Sequence, residues 1–538
     1  MRKNHNILLL ILFLGISLTS CENFLTEDNR SNVDADSYYS TADGFDALVN
    51  ANYAQLRSIY GGEAWLFAAG TDMYAEGRSQ EPPGLSQYTD LGPSSSGVDH
   101  LYNTCYRAIQ LANQAMSYST STEQTSILEN RIGEVRFLRA NAYFLLVQTY
   151  GGVPLVTDAI NEPVLEFDRN SAEEVYTYII SELEAALTQV ADGSYTGRAN
   201  KRAVQHLLGK VYLTRGYESF GASSDFTTAA GLLDDAIGGQ GLNLPFADVF
   251  APGNDDNEEV IFSVQYSAGS VSVDPFELGH RQSSYFGPYQ GGSEVAGDAP
   301  YRFYNLCPTD YAIGLFTQDD ERWDGTFMHT VYDRYYDHYD VSDHSSLGVF
   351  HFYAPQWHTV ADSAAYVLAN PNAQYHGHGS YSAQIVSGDY ETIPVRKFDD
   401  PTAPFDDGGQ TSTRDIFLSR LADTYLLAAE AHLQAGDAGT ALARLNVVRQ
   451  RAGVADATAI DIDYILDERG RELLGEYHRW FDLKRTGKLV ERAAAHHYLI
   501  EESNFNGANG ELKILRPIPQ SALDLNQNRN FPQNPAYN

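Results

Sequence analysis

The sequence predicts a mostly α-helical protein in which tetratricopeptide-like helical repeats support an irregular, loop-rich insert lobe. Residues 416–453 carry two amphipathic stripes: Leu421, Tyr425, Ala428, Ala429 and His432, then Ala441, Leu445 and Val448, parted by Gly436-Asp437. The pattern recurs upstream through Leu208, Gly209, Tyr212 and Gly216, followed by Ala229, Leu233 and Ala236. A looser copy runs through Ala140, Tyr143 and Val147, then Val175, Ile179, Leu183 and Ala186. Between the second and last copies, residues 266–381 are rich in aromatics interleaved with Gly and Pro, without a sustained helical stripe. One helical hairpin cannot bury its apolar face alone, so the copies are expected to stack on one another. The small residues Ala428, Ala429 and Ala441 allow close approach of the helices.

In chain order, the first signal is a basic start (Arg2, Lys3), an apolar run from Ile7 to Leu18, and Leu18-Thr19-Ser20-Cys21. This has the form of a secretory signal ending in a lipobox, too short for a permanent span; cleavage before Cys21 and lipidation of its thiol follow. Residues 1–20 are thus read as a lipoprotein signal and 21–40 as the lipidated cysteine with a polar, acidic tether. Thr41 is a candidate cap for a helix carrying Phe45, Leu48, Val49, Asn52 and Leu56 and ending at Gly61-Gly62. Residues 65–93 hold too many Gly and Pro for one long helix. Helices are expected over 101–118 and 123–150, stopped by Gly151-Gly152-Val153-Pro154, and a short strand over 260–264. The scaffold is therefore divided into 41–262 and 414–538 by an insert at 263–413, with a helical pattern resuming at Asp415.

The 538 residues carry 71 acidic and 36 basic side chains, a formal charge of -35. Such a balance argues against nucleic acid or anionic lipid headgroups as partners. Of the three cysteines, Cys105 and Cys307 fit a disulfide or two buried thiols equally well.

Several motifs invite chemical readings. In residues 467–485, Glu468, Glu472 and Glu476 lie four apart with Arg469, Arg471 and Arg479 beside them; the alternating signs favour a structural salt-bridge network over paired catalytic carboxylates. His376-Gly377-His378 with His351 and His358 suggests a metal site only weakly, since no HExxH or paired CxxC accompanies it. Residues 254–259 are acidic but lack the spacing of a calcium loop, so no cofactor is expected, structural calcium staying as an open alternative. No GxSxG elbow, Walker loop or strand-GxGxxG-helix arrangement occurs. In the insert, Tyr285, Tyr289 and Tyr301 sit among Gly, Pro, Gln and Arg residues, including Arg281, without core periodicity. A sugar ring can lie flat on such rings while nearby polar groups take its hydroxyls. For each ring alone, core packing is the competing reading.

Separated segments give the chain a resemblance to the SusD/RagB family of outer-membrane nutrient-binding lipoproteins. They are Arg139-Ala140 with Tyr143 and Gly151-Gly152-Val153-Pro154-Leu155; Asn257-Glu258-Glu259-Val260-Ile261-Phe262; Arg396-Lys397-Phe398; Arg420-Leu421-Ala422-Asp423 leading to Ala429-Glu430-Ala431; Glu468-Arg469 with Glu472-Leu473, Glu476, Arg479-Trp480 and Asp482-Leu483-Lys484-Arg485; and Pro517-Ile518-Pro519 with Gln533-Asn534-Pro535. The resemblance implies a SusD-like fold and non-catalytic capture of an oligo- or polysaccharide at the cell exterior. It also implies delivery to a TonB-dependent, SusC-like transporter, with the protein held to the outer membrane by its lipid. By the same resemblance the region after the first helix borders the ligand, which adds Trp65, Tyr74 and Tyr88. Trp323 is a further candidate, although the Asp320-Glu321-Arg322 before it matches an Asp-x-Arg that recurs in the family as a structural feature. Rival expectations are a peptide cargo, a surface glycoside hydrolase using Asp319, Asp320 and Glu321, and a purely structural subunit.

Overall fold

The computed structural model describes residues 34–77, 83–267, 269, 279–288, 300, 302, 305–381, 392–402 and 411–538. Cys21 and the signal lie outside these residues, and no helix among them is long and apolar enough to cross a membrane.

The scaffold begins with α1 (Ala42–Tyr60), whose Thr41 hydroxyl accepts the Gly44 N–H. It continues through α2 (His100–Tyr118) and α3 (Leu128–Tyr150). Gly151 stops α3 with φ of 75°, a conformation glycine adopts without penalty. A capping box of Ser171 and Glu174 opens α4 (Ala172–Gln189). The expected repeat pairs follow as α5 (Lys201–Gly216) with α6 (Asp225–Ile237). Far along the chain come α8 (Leu421–Gln434) with α9 (Ala438–Arg451). Each helix packs on its predecessor from α1 to α6, and α8 then packs on α6 as though the insert were absent. Gly209 explains the closeness of α5 and α6: a Cβ there would lie 2.8 Å from Leu233 Cγ. Leu213, Ala229 and Leu233 share one buried cluster with Leu421, Leu445 and Val448, so the separated repeats form a continuous core.

One expectation is corrected at the junction. Residues 416–420, taken as the start of the helical pattern, are strand β7 (Ile416–Arg420), antiparallel to β2 (Val260–Val264) with Val260 opposite Arg420 and Val264 opposite Ile416. Most side chains on both faces of this ribbon are buried, which masks the alternation that marks a half-exposed strand. Its two strands are the stems through which the insert leaves and rejoins the scaffold. Asp415 locks it, accepting from Ser263 Oγ at 2.7 Å and from the Tyr266 N–H at 3.1 Å.

The insert is less irregular than its composition suggests. Strand β1 (Tyr74–Ala75) pairs with β3 (Cys307–Pro308), tying it to the segment after α1. Strands β4 (Thr330–Tyr332), β5 (Val349–Tyr353) and β6 (Gln374–His376) form a small mixed sheet, β4 antiparallel and β6 parallel to β5. Helix α7 (Val360–Ala369), absent from the sequence expectation, opens with a Thr359–Asp362 capping box. Cys105 and Cys307 are two buried thiols not joined in a disulfide, their pKa values pushed up by burial.

Between insert and repeats lies a buried lattice of ions centred on α10 (Ile462–Glu472) and the loop leading to α11 (Arg479–Arg485). Arg322 of the insert reaches Asp320 at 2.8 Å, Glu468 at 2.7 Å and Glu472 at 3.2 Å. Arg420, at the end of β7, grips Glu472 and Glu476, each at 2.7 Å. Lys397 bonds Glu476 at 2.5 Å, and Arg451 bridges Glu259 and Glu472. A second set joins Arg469 to Asp423 and Asp482, and Arg485 to Glu430 and Asp482. The structural reading of residues 467–485 therefore holds. Such groups are costly to desolvate and stabilise the fold only while every partner is present.

Arg420→Ala should cost about 3–5 kcal/mol, because it removes the buried guanidinium shared by two carboxylates and leaves Glu472 to Arg322 and Arg451 and Glu476 to Lys397 alone. Chemical denaturation measures this; a loss below about 1 kcal/mol, the weight of an exposed pair, would contradict it. Acid sensitivity should follow the same groups. Burial raises the Glu472 pKa, but Arg451, Arg420 and Arg322 outweigh it and hold the carboxyl well below the usual range. A depressed folded-state pKa gives stabilisation that is complete above the ordinary Glu value of about 4.3 and lost as pH falls below it. The melting temperature should therefore hold near pH 6 and drop as pH falls from about 5 toward 3, and less steeply in Glu472→Gln.

Candidate ligand-binding surface

Five of the expected ligand rings are walls of the core. Trp65, Tyr74, Tyr88, Tyr285 and Trp323 retain only 4, 2, 2, 7 and 3% of their exposure. The Trp65 indole N–H donates to Glu63 Oε2 at 2.5 Å, and the Tyr285 hydroxyl donates to Gly62 O at 3.3 Å and Glu63 Oε2 at 3.4 Å. Tyr74 accepts the Gly475 N–H and packs its ring on Phe286 at 5.3 Å. Tyr88, at φ of 60°, donates to Gly70 O, accepts from the Trp480 indole at 3.1 Å and lies 3.9 Å from the Phe505 ring. Trp323 sits among Phe316, Phe327 and Trp357. Rings so enclosed have no free face for a sugar. Their burial corrects the reading of Gly- and Pro-rich segments as exposed loops: the loops fold over one another and satisfy the polar tips internally. Arg281 is half-buried, and its backbone N–H donates to Gly61 O at 2.9 Å. Tyr289 and Tyr301 lie outside the described residues.

A different aromatic is presented to solvent. Of the four tryptophans, Trp65, Trp323 and Trp480 are buried, while Trp357 keeps part of its surface open. Its ring meets buried Trp323 edge to face at 5.3 Å and 69°. The turn that carries it is pinned by Gln356, whose amide donates to Gly314 O at 3.1 Å and to Phe316 O. The His358 N–H closes the same turn onto Pro355 O at 3.0 Å. A half-open indole on a rigid base, beside the half-buried side chains of Gln356 and His358, is a preformed stacking surface with polar neighbours. Sequence reasoning passed over it. The available signal was a tryptophan in Pro355-Gln356-Trp357-His358, directly after an aromatic strand.

The chemical alternatives look different in three dimensions. His351 and His376 hydrogen-bond to each other, Nδ1 to Nε2, at 2.9 Å. Burial pushes His351 down to about 3, helped by His376, and pushes His376 down to about 4, so both are neutral near pH 7. Among the described residues no three His, Cys, Asp or Glu side chains converge as for a metal ion. In the acidic stretch, Asp255 pairs with Arg414, Glu259 with Arg451, and the Asn254 and Asn257 amides bond backbone carbonyls. The buried Asp320 carboxylate is taken by Arg322, while Asp319 and Glu321 are exposed.

Comparison with known proteins places this architecture. A model of the SusD family matches residues 258–537, more than half of the chain. A second family model, described as starch-binding associating with outer membrane, matches residues 24–213. SusD-like protein P25 of Formosa agariphila is 25% identical, with 97% of each chain covered. Among solved structures, a SusD homolog from Bacteroides thetaiotaomicron superposes with a TM-score of 0.73 at 22% identity, covering 95% of this chain and all of that one. A laminarin-binding SusD-like protein gives 0.70 at 23% identity, covering 93% and 100%. With a family match over most of the region from β2 to the C-terminus and the same fold across nearly the whole length, the chain belongs to the SusD family.

Proposed function

We propose that the protein binds a glycan without altering it and passes it to a TonB-dependent, SusC-like transporter, held at the exterior of the outer membrane through lipid on Cys21. The single observation that carries the binding reading is Trp357, half-open on the buried Trp323. An indole face supplies the apolar area against which the C–H face of a pyranose packs, while Gln356 and His358 stand beside it for hydroxyl groups. Relatives support the cargo class: one structural neighbour is described as laminarin-binding, another as a surface glycan-binding protein A from Bacteroides uniformis. The family description places its members with the outer membrane, and the lipobox ending at Cys21 agrees with that location. A hydrolytic role is less favoured, because Asp320, central to the acidic trio, spends its carboxylate on Arg322.

Binding to a panel of polysaccharides by affinity electrophoresis, then calorimetry, tests the reading. Trp357→Ala should weaken the glycan that binds by tenfold or more, about 1.4 kcal/mol or above, with little change in melting temperature. Tyr285→Ala and Trp323→Ala should instead destabilise the fold, by about 3–5 kcal/mol for the tryptophan. Undiminished glycan affinity in Trp357→Ala would remove this surface from the site, and product released from a bound glycan would remove the non-catalytic assignment.

A further inference from the structure

The chain between α3 and α4 forms a second recognition surface. Residues 155–168 run without helix or strand, yet they are held in a fixed course from beneath. Asn113 Nδ2 donates to Val156 O at 2.8 Å and Asp158 O at 3.1 Å. Gln110 brackets Ile160, its amide donating to the carbonyl at 3.1 Å and accepting the N–H at 3.3 Å. From the C-terminal segment, Asn526 brackets Phe167 in the same manner, and the Gln527 N–H donates to Leu165 O at 2.8 Å. This is a surface segment whose shape is set before any partner arrives.

Its outer side sets exposed apolar residues among carboxylates. Residues 161–166 are all exposed, and Val164 and Leu165 keep 49 and 53% of their area open. Leu525, 80% open, ends a short helix (Gln520–Leu525) two residues before Gln527, which holds Leu165. The segment curves around a groove of about 560 Å³ whose apolar lining includes Val156, Ile160, Val164 and Phe167. Around it stand the exposed carboxylates Asp158, Glu162, Glu166 and Asp168. Of the basic residues nearby, Arg169 is turned inward onto the carbonyls of Gly152 and Tyr150 and Arg139 onto Thr157 O, while Arg529 is exposed next to Asn528, whose amide bonds Asp168. The backbone polar groups of Asn161, Glu162 and Glu166 have no partner among the described residues.

We propose that this groove docks a segment of a partner protein in which cationic and apolar side chains alternate. Apolar side chains would cover Val164, Leu165 and Leu525, cationic ones would meet the carboxylate rim, and the partner's backbone would bond the open amides and carbonyls of Asn161, Glu162 and Glu166. The acidic rim disfavours an anionic lipid surface at the same place. The proposal stands apart from the glycan reading, since neither Trp357 nor its neighbours take part.

Fluorescence anisotropy with two labelled decapeptides, one alternating lysine with valine and the other alternating glutamate with valine, tests it on the purified protein. The lysine peptide should bind and the glutamate peptide should not. The paired substitutions Leu165→Ser with Leu525→Ser should weaken the lysine peptide about tenfold. Asp158→Asn with Glu162→Gln should weaken it and flatten its salt dependence. All four positions are exposed, so melting temperatures should stay unchanged. Absence of lysine-peptide binding, or equal affinity in both double variants and the parent, would overturn the proposal; in the latter case the peptide is held by the general negative charge.

Discussion

The arrangement depends on one buried contact set: Arg322 from the insert and Arg420 from the returning strand share the carboxylate of Glu472. Neither arginine can move without taking a cationic partner from buried carboxylates, which is costly in the interior. Because Glu259 enters the same lattice through Arg451, both stems of the insert end at one electrostatic junction. Apolar packing alone could let a lobe of short elements slide over the repeats. The fork geometry of guanidinium against carboxylate fixes its direction as well as its distance.

That junction explains why the aromatic wealth of the insert is mostly structural. Once the lobe is fixed against the repeats, Tyr74, Tyr285 and Trp323 become struts at the contact, each closing a hydrogen bond or a ring cluster. Trp323 also carries the partly open Trp357, the stacking face proposed for the ligand. A buried ring supporting a partly open one is a means of holding a stacking face rigid without ordering it again at each binding event.

The repeats were legible in the sequence because their period and small-residue positions are local properties: Gly209 and Leu233 meet as the stripes require. The ionic character of residues 467–485 was legible too, since alternating charge on a helix has few other uses. The strand Ile416–Arg420 was not, because it is buried on both sides and pairs with residues far away in sequence. Nor was the burial of Trp65 or Tyr88, which is decided by loops closing over one another; no periodicity records that. Helix α7 escaped for a related reason: only Ser363, Tyr366 and Asn370 turn partly inward, so its apolar residues draw no stripe facing a core.

The claim that the shared lattice makes insert and repeats one cooperative body is tested most directly by native-state hydrogen exchange on Arg322→Met. If the lattice is the junction, protection should fall together in β4, β5, β2, β7 and α8. Loosening confined to β4, β5 and their immediate neighbours, with β2, β7 and α8 as protected as in the parent protein, would contradict it.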